Sequence, residues 1–146
     1  MKIKIPFKNI RSPHFLNEAP EYGNSFSRGI KFTVSDTIFL YISGTASVDK
    51  FGKTYAPGNF KQQIRKLYAN LTGLLKSENA DWHDVVMTRC YLKDMKYYGE
   101  FNKYRTSYYK KLKLNPFPAS VGIQAELCRK DLLIEIELTA AYKLKR

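Results

Sequence analysis

Two carboxylates stand two residues apart in residues 126–140, "ELCRKDLLIEIELTA". In an extended strand, successive side chains alternate between faces. Glu135 and Glu137 then share a face with Leu133 and Thr139, opposite an apolar face of Leu132, Ile134, Ile136 and Leu138. A carboxylate on the inward side of a sheet needs a partner or stays protonated. In a cleft, a raised pKa suits general acid–base work; facing water, the same residues are ordinary surface. Upstream, "SGTAS" (43–47) ends a strand-like run. There a Ser43 hydroxyl and a Gly44 N–H can face an anion, and a plain turn is the other reading. His14 and His83 have no second ligand at metal spacing. Neither a P-loop nor a GxGxxG run is present. No metal and no cofactor is expected.

The elements that hold these residues are readable from periodicity. "MKIKIPF" reads as a short edge strand with Ile3, Ile5 and Phe7 on one face. "RSPHFLNEAPEYGNS" is turn-rich and reads as a loop. "RGIKFTVSDTIFLYISG" gives two strands broken at Ser35-Asp36, a hairpin. In "GNFKQQIRKLYANLTGLLKSENA" the period becomes helical, with Phe60, Ile64, Leu67, Leu71, Leu74 and Leu75 on one stripe and Asn59 as N-cap. "DVVMTRCYL" is a strand, and "YYGEFNKYRTSYYKKLKL" a second helix striped by Phe101, Tyr104, Tyr108 and Leu112. Pro116 and Pro118 end it. "ASVGIQAEL" and "LLIEIELTAAYKL" close the chain as two strands around a short "CRKD" turn. The order ββαβαββ predicts an α+β fold, one mixed sheet with both helices on a single face. Two helices leave the other sheet face bare, and a closed oligomer would cover it. Ligand sites form in clefts at such junctions.

A chain of 146 residues fits a single domain spanning 1–146. Its 25 Lys+Arg against 13 Asp+Glu, formally +12, favour anionic partners, nucleic acid among them. Solvated lysine faces account for the same excess. Tyrosines interleaved with lysines in the second helix can stack on single-stranded bases, yet their spacing fits core packing. Cys90 and Cys128 form no CxxC pair and no disulfide framework, which fits a reduced, cytoplasmic setting. No run has the length of a membrane helix.

In order and spacing, "FSRG", "IFLYISGTAS", "GNFKQQIRKLYANLTGLL", "DVVMTRCYLKDM", "FNKYRTSYY", "NPFPAS" and "LLIEIELTA" resemble the RidA/YjgF family over about residues 20–142. The family includes reactive-intermediate deaminases, endoribonuclease L-PSP and translation-inhibitor proteins. The resemblance implies a chorismate-mutase-like α+β fold and a homotrimer with three clefts between subunits. In its deaminating members a glutamate of the "EIE" strand helps position water, and an arginine just after "FPA" grips the substrate carboxylate. Glu135 matches that glutamate. Ser43 and Gly44 match the "SGQ" turn, with Thr45 for its glutamine; Phe26 replaces the tyrosine of "YSQ"; Asn102 matches a helix asparagine. The arginine is absent: Ser120 stands there, or Ala119 with a one-residue shift. Neither makes a bidentate charged clamp, which argues against the usual imine deaminase chemistry.

"FSRG", "ISGTAS" and "CRKDLLIEIE" also resemble the C-terminal half of chorismatases. There a cysteine before arginine, matched by Cys128 and Arg129, lies in the active site with the glutamate matched by Glu135. Chorismatases are about twice this long. The combined expectation is a homotrimer binding a small carboxylate-bearing metabolite between subunits, with Glu135 and Cys128 as catalytic candidates. Ser43, Gly44, Phe26, Asn102, Ser120 and Arg129 are the candidate ligand contacts. Arg28, Arg89 and Arg129 are candidates for the replacement cation. If the protein turns substrate over, the chemistry is hydrolytic, imine-deaminase-like or chorismatase-like. A chorismatase-like enzyme and an RNA-binding or endoribonuclease-type protein are the alternatives.

Overall fold

In the computed structural model, which describes residues 1–144, six strands and two α-helices alternate along the chain. They are β1 (Lys8–Asn9), β2 (Gly29–Val34), β3 (Thr37–Ala46), α1 (Phe60–Ser77), β4 (Val85–Leu92), α2 (Tyr98–Lys111), β5 (Ala119–Gln124) and β6 (Ile134–Lys143). One sheet runs β1-β2-β3-β6-β4-β5, antiparallel throughout except for the β4–β5 pair. This is the mixed sheet that the ββαβαββ order predicts, with both helices on one face.

α1 forms where expected, and its apolar stripe sets the core. The Asn59 side chain accepts from the Gln62 N–H at 3.0 Å and caps the helix. Phe60, Ile64, Leu67, Leu71, Leu74 and Leu75 are all buried, in one cluster with Ile38, Leu40 and Ile42 of β3 and Ile134, Ile136 and Leu138 of β6. Each such side chain contributes about 1.5–3 kcal/mol by leaving water. α2 sinks Phe101 and Tyr109 into this core, while Tyr104, Tyr108 and Leu112 pack at its margin. Tyr68 of α1 stacks on Trp82 at 5.1 Å and meets Tyr108 edge-on at 4.9 Å. These tyrosines of the lysine-rich helix are therefore spent on helix–helix packing.

Two expectations are corrected. Residues 3, 5 and 7 join no strand ladder: Ile3 and Phe7 are exposed, the Phe7 ring meets Phe32 edge-on at 5.7 Å, and the edge strand is only Lys8–Asn9. β5 and β6 are not joined by a four-residue "CRKD" turn. β4 lies between them, so residues 125–133 form a crossover from the parallel β4–β5 pair back to the sheet centre.

The face away from the helices is bare. Tyr41 is 51% exposed there, and every residue of β5, Val121 and Ile123 included, is exposed at the sheet edge. An open edge beside exposed apolar groups is a surface that proteins ordinarily cover. Among the described residues, no helix is long and apolar enough to cross a membrane.

Candidate functional site

A register irregularity in β3 builds the first cavity. β3 pairs Ile42 with Leu138 and then Thr45 with Ile136, so three residues advance against two on β6. Such a bulge re-aims the side chains beside it. It sets Ser43 and Gly44 opposite the carboxylates of β6, at the wall of a cavity of about 400 Å³. Gly44 is required by proximity rather than by an unusual φ: a Cβ there would stand 2.0 Å from Glu135 Oε1.

Glu135 and Glu137 share a strand face yet are held differently. Glu137 accepts from Arg89 Nη1 at 3.2 Å and from the Tyr91 hydroxyl at 3.2 Å. Glu135 has no hydrogen-bond partner among the described residues. Burial raises its pKa above the usual 4.5, and repulsion from Glu137 adds to this; Arg28 opposes both. A carboxyl group with free oxygens, poised to exchange its proton, is what acid–base chemistry requires.

Six of the eight candidate residues line this cavity: Glu135, Cys128, Ser43, Gly44, Phe26 and Arg129. The Ser43 hydroxyl, however, donates to the Ser27 carbonyl at 2.7 Å. That contact uses the hydroxyl proton and leaves the oxygen's lone pairs free to accept. Arg28 is 5% exposed, its guanidinium within cation–π reach of the adjoining Tyr22 and Phe26 rings at 5.5 and 5.7 Å. It donates to the Asn17 carbonyl at 2.8 Å and Asn17 Oδ1 at 3.1 Å. Arg129 donates to the Gly52 carbonyl at 2.6 Å. Of the three proposed replacement cations, Arg89 is paired with a carboxylate, Glu137, while Arg28 and Arg129 hold neutral groups of their own chain.

Asn102 and Ser120 lie apart from the other six. They line a second cavity, of about 210 Å³, between α2 and β5. Ser120 pairs with the buried Thr88 on the helix side of the sheet. Glu135 pairs with Tyr91 on the bare side, so within one chain no small ligand meets both. At this cavity stands Arg105, a cation the sequence reading overlooked. It donates to Ser120 Oγ at 2.9 Å and to Asn102 Oδ1 at 2.7 Å. The signal was available, since Arg105 follows Asn102 by one helical turn and the two share a face.

Gly44→Ala tests whether the glycine serves Glu135 or the fold. The colliding atom is the far end of a flexible side chain, and the residue has no left-handed φ. Thermal stability then stays within about 1 kcal/mol of wild type or rises. The Glu135 carboxylate is displaced, and any Glu135-dependent turnover falls at least about tenfold. A variant with full turnover would mean that the close approach has no functional meaning.

Comparison with known proteins matches this geometry to a family. The family model described as Endoribonuclease L-PSP matches residues 16–142. A RutC family protein of Pyrococcus horikoshii is 31% identical over 129 residues, 88% of this chain and 95% of that protein. A RutC family protein of Drosophila melanogaster is 31% identical over 101 residues, 69% of this chain and 70% of that protein. Among solved structures, a protein described as an endoribonuclease L-PSP from Entamoeba histolytica superposes with a TM-score of 0.74 at 26% identity, covering 94% of this chain and all of that one. E. coli TdcF, solved with bound serine, shares the fold with a TM-score of 0.76 at 16% identity, covering 93% of this chain and 99% of that one.

Proposed function

The chain belongs to the endoribonuclease L-PSP (RidA/YjgF) family, and on that premise we propose that it is a homotrimer binding a small carboxylate-bearing metabolite in clefts between subunits. The observation that carries this reading is Glu135: a half-buried carboxylate with no hydrogen bond among the described residues, set over Gly44 in a cavity of about 400 Å³. The bare sheet face and the open β5 edge support the assembly, because three copies can cover each other's exposed strands. Bound serine in TdcF, a protein of the same fold, is consistent with a small carboxylate as the ligand class.

In this reading Glu135 takes a proton from the attacking water and returns it to the leaving group. Its raised pKa brings proton exchange closer to neutral pH. Ser43 accepts a hydrogen bond from the ligand, and the Phe26 and Tyr22 rings wall the apolar side. Cys128 and Arg129 line the same cavity, which favours a second reading, cleavage of chorismate or a related cyclic carboxylate.

Glu135→Gln tests the proposal with two readouts. Turnover of amino-acid-derived imines or of chorismate falls by about 10²–10⁴, the span of general acid–base catalysis, while the trimer persists. Stability moves the other way. The folded chain holds the Glu135 proton to higher pH than the unfolded chain, so wild-type stability falls as pH rises through that window. Glutamine has nothing to ionise, so at pH 7 the variant melts higher than wild type. That gain vanishes below pH 4.5, where the carboxyl is protonated in both states. A wild type that is monomeric, or that neither turns over nor saturably binds any carboxylate of either class, would refute the reading.

A further inference from the structure

At the cavity between α2 and β5 the cation is Arg105, and we propose that it is the carboxylate clamp, forming with Ser120 a subsite there. The inference deepens the reading above and rests on it for one step alone, the approach of a neighbouring copy's Glu135. The cavity itself lies within a single chain.

Arg105 is held in one orientation by neutral groups only. Nη1 donates to Ser120 Oγ at 2.9 Å, Nη2 donates to Asn102 Oδ1 at 2.7 Å, and the guanidinium carbon lies 4.7 Å over the Phe101 ring. Phe101 is fully buried, which fixes the platform. Among the described residues no carboxylate lies within ion-pair distance of Arg105. A guanidinium has five N–H donors, so three stay free, with an uncompensated charge behind them. A charge fixed this way has little left to lose in conformational entropy when an anion arrives.

Ser120 adds a neutral donor. Its oxygen accepts from Thr88 at 3.1 Å as well as from Arg105, and Thr88 in turn lies beside the Cys90 thiol. With both lone pairs taken, the Ser120 proton is left to donate, and an anion in the cavity that Ser120 lines can accept it. The wall also contains Tyr109, 4% exposed, whose hydroxyl is buried with no hydrogen-bond partner among the described residues. Phe117 and Pro118 supply an apolar side. A small carboxylate with an aryl or short aliphatic body matches this set: N–H and O–H donors at one end, apolar carbon at the other.

The site also accounts for the serine in "FPAS". The chain carries its cation on α2 instead of β5, and Ser120 is short enough to let that guanidinium reach the strand. Because Glu135 faces the opposite side of the sheet, the clamp of one copy and the carboxylate of another meet only across a subunit boundary.

Isothermal titration with benzoate, and with benzamide as its uncharged counterpart, tests the proposal. Wild type binds benzoate in preference to benzamide. Arg105→Met weakens benzoate at least about tenfold, as loss of a charge-assisted pair requires, while light scattering shows the assembly unchanged. Adding Ser120→Arg to Arg105→Met restores binding. Arg105 packs on Phe101, so Ser120→Ala, on an exposed edge, serves as a variant that leaves folding intact; it weakens benzoate about threefold or more. Unchanged affinity in both variants, or equal binding of benzoate and benzamide by wild type, would overturn the inference. Loss of binding on Arg28→Met but not on Arg105→Met would overturn it while leaving the proposed function standing.

Discussion

Gln63→Ala lowers the unfolding free energy by about 3 kcal/mol, or about 6–12 °C in melting temperature for a chain of this size. Gln63 is completely buried in the first turn of α1 and uses its whole amide. Nε2 donates to the Ala56 carbonyl at 3.2 Å and to the Asp131 carbonyl at 2.8 Å, while Oε1 accepts from the buried Leu133 N–H at 2.9 Å. Alanine leaves that N–H without a partner, opens a void, and releases two carbonyls. An unsatisfied buried donor alone costs about 1–3 kcal/mol. The consequence reaches the site, because the loosened residues 131–133 link Cys128 and Arg129 to Glu135 on β6. Gln63→Glu is at least as damaging: it turns two donations into contacts between a carboxylate and carbonyl oxygens, in a place without water. Urea unfolding at neutral pH decides the matter. An alanine variant within about 0.5 kcal/mol of wild type would show that packing, not the amide, holds the crossover.

Legibility in the sequence tracked how local each determinant is. The α1 stripe, the Asn59 cap and the hairpin at Ser35-Asp36 rest on contacts a few residues apart, and all three form as read. The apolar alternation of β6 was likewise visible, because a central strand with one covered face repeats every second residue. Strand partners were not visible. β5 and β6 look like a closing hairpin because they follow one another, and nothing in either says that β4 will lie between them. Helical spacing in α2 selects Phe101, Tyr104, Tyr108 and Leu112, whereas its deepest tyrosine is Tyr109. A helix covering a twisted sheet edge turns a broader arc inward than a single stripe describes.

The same division holds at the site. That Glu135 and Glu137 share a face follows from spacing; that Arg89 and Tyr91 capture only Glu137 depends on β4 lying alongside. The eight candidate residues fall into two cavities because Ser120 and Asn102 meet on the helix side, where the chain order β4–α2–β5 brings them. That Arg105 shares a helix face with Asn102 follows from spacing; its hydrogen bond to Ser120, 15 residues on, depends on α2 packing against β5.

Lys31→Met costs about 2–3 kcal/mol, below the 3–5 typical of a fully buried ion pair because one partner keeps some water. Lys31 Nζ donates to Glu78 Oε2 at 2.7 Å, with side-chain exposures of 23% and 7%. Glu78 closes α1 at its C-terminus, an unfavourable place for a carboxylate, because the helix dipole is negative there. The lysine compensates for that siting. Lys8, 3.7 Å from Oε1 and 70% exposed, is a weak second partner. Removing Lys31 therefore strands a buried charge, whereas Glu78→Gln leaves a lysine that can still reach solvent and costs only about 1 kcal/mol. This asymmetry separates the ion pair from simple packing. The pH dependence gives a second test. The hydrogen bond to Glu78 first, and its charge besides, hold Lys31 above its usual 10.5 against the opposing effect of burial. The stabilisation is then fully present below pH 10.5 and is lost as pH rises through the higher folded value. From neutral pH upward, urea midpoints of wild type and Lys31→Met therefore differ by a constant amount until pH 10.5 and converge above the folded value. Midpoints that stay equally far apart in strong alkali would mean that the methionine variant suffers from shape, not from a missing charge.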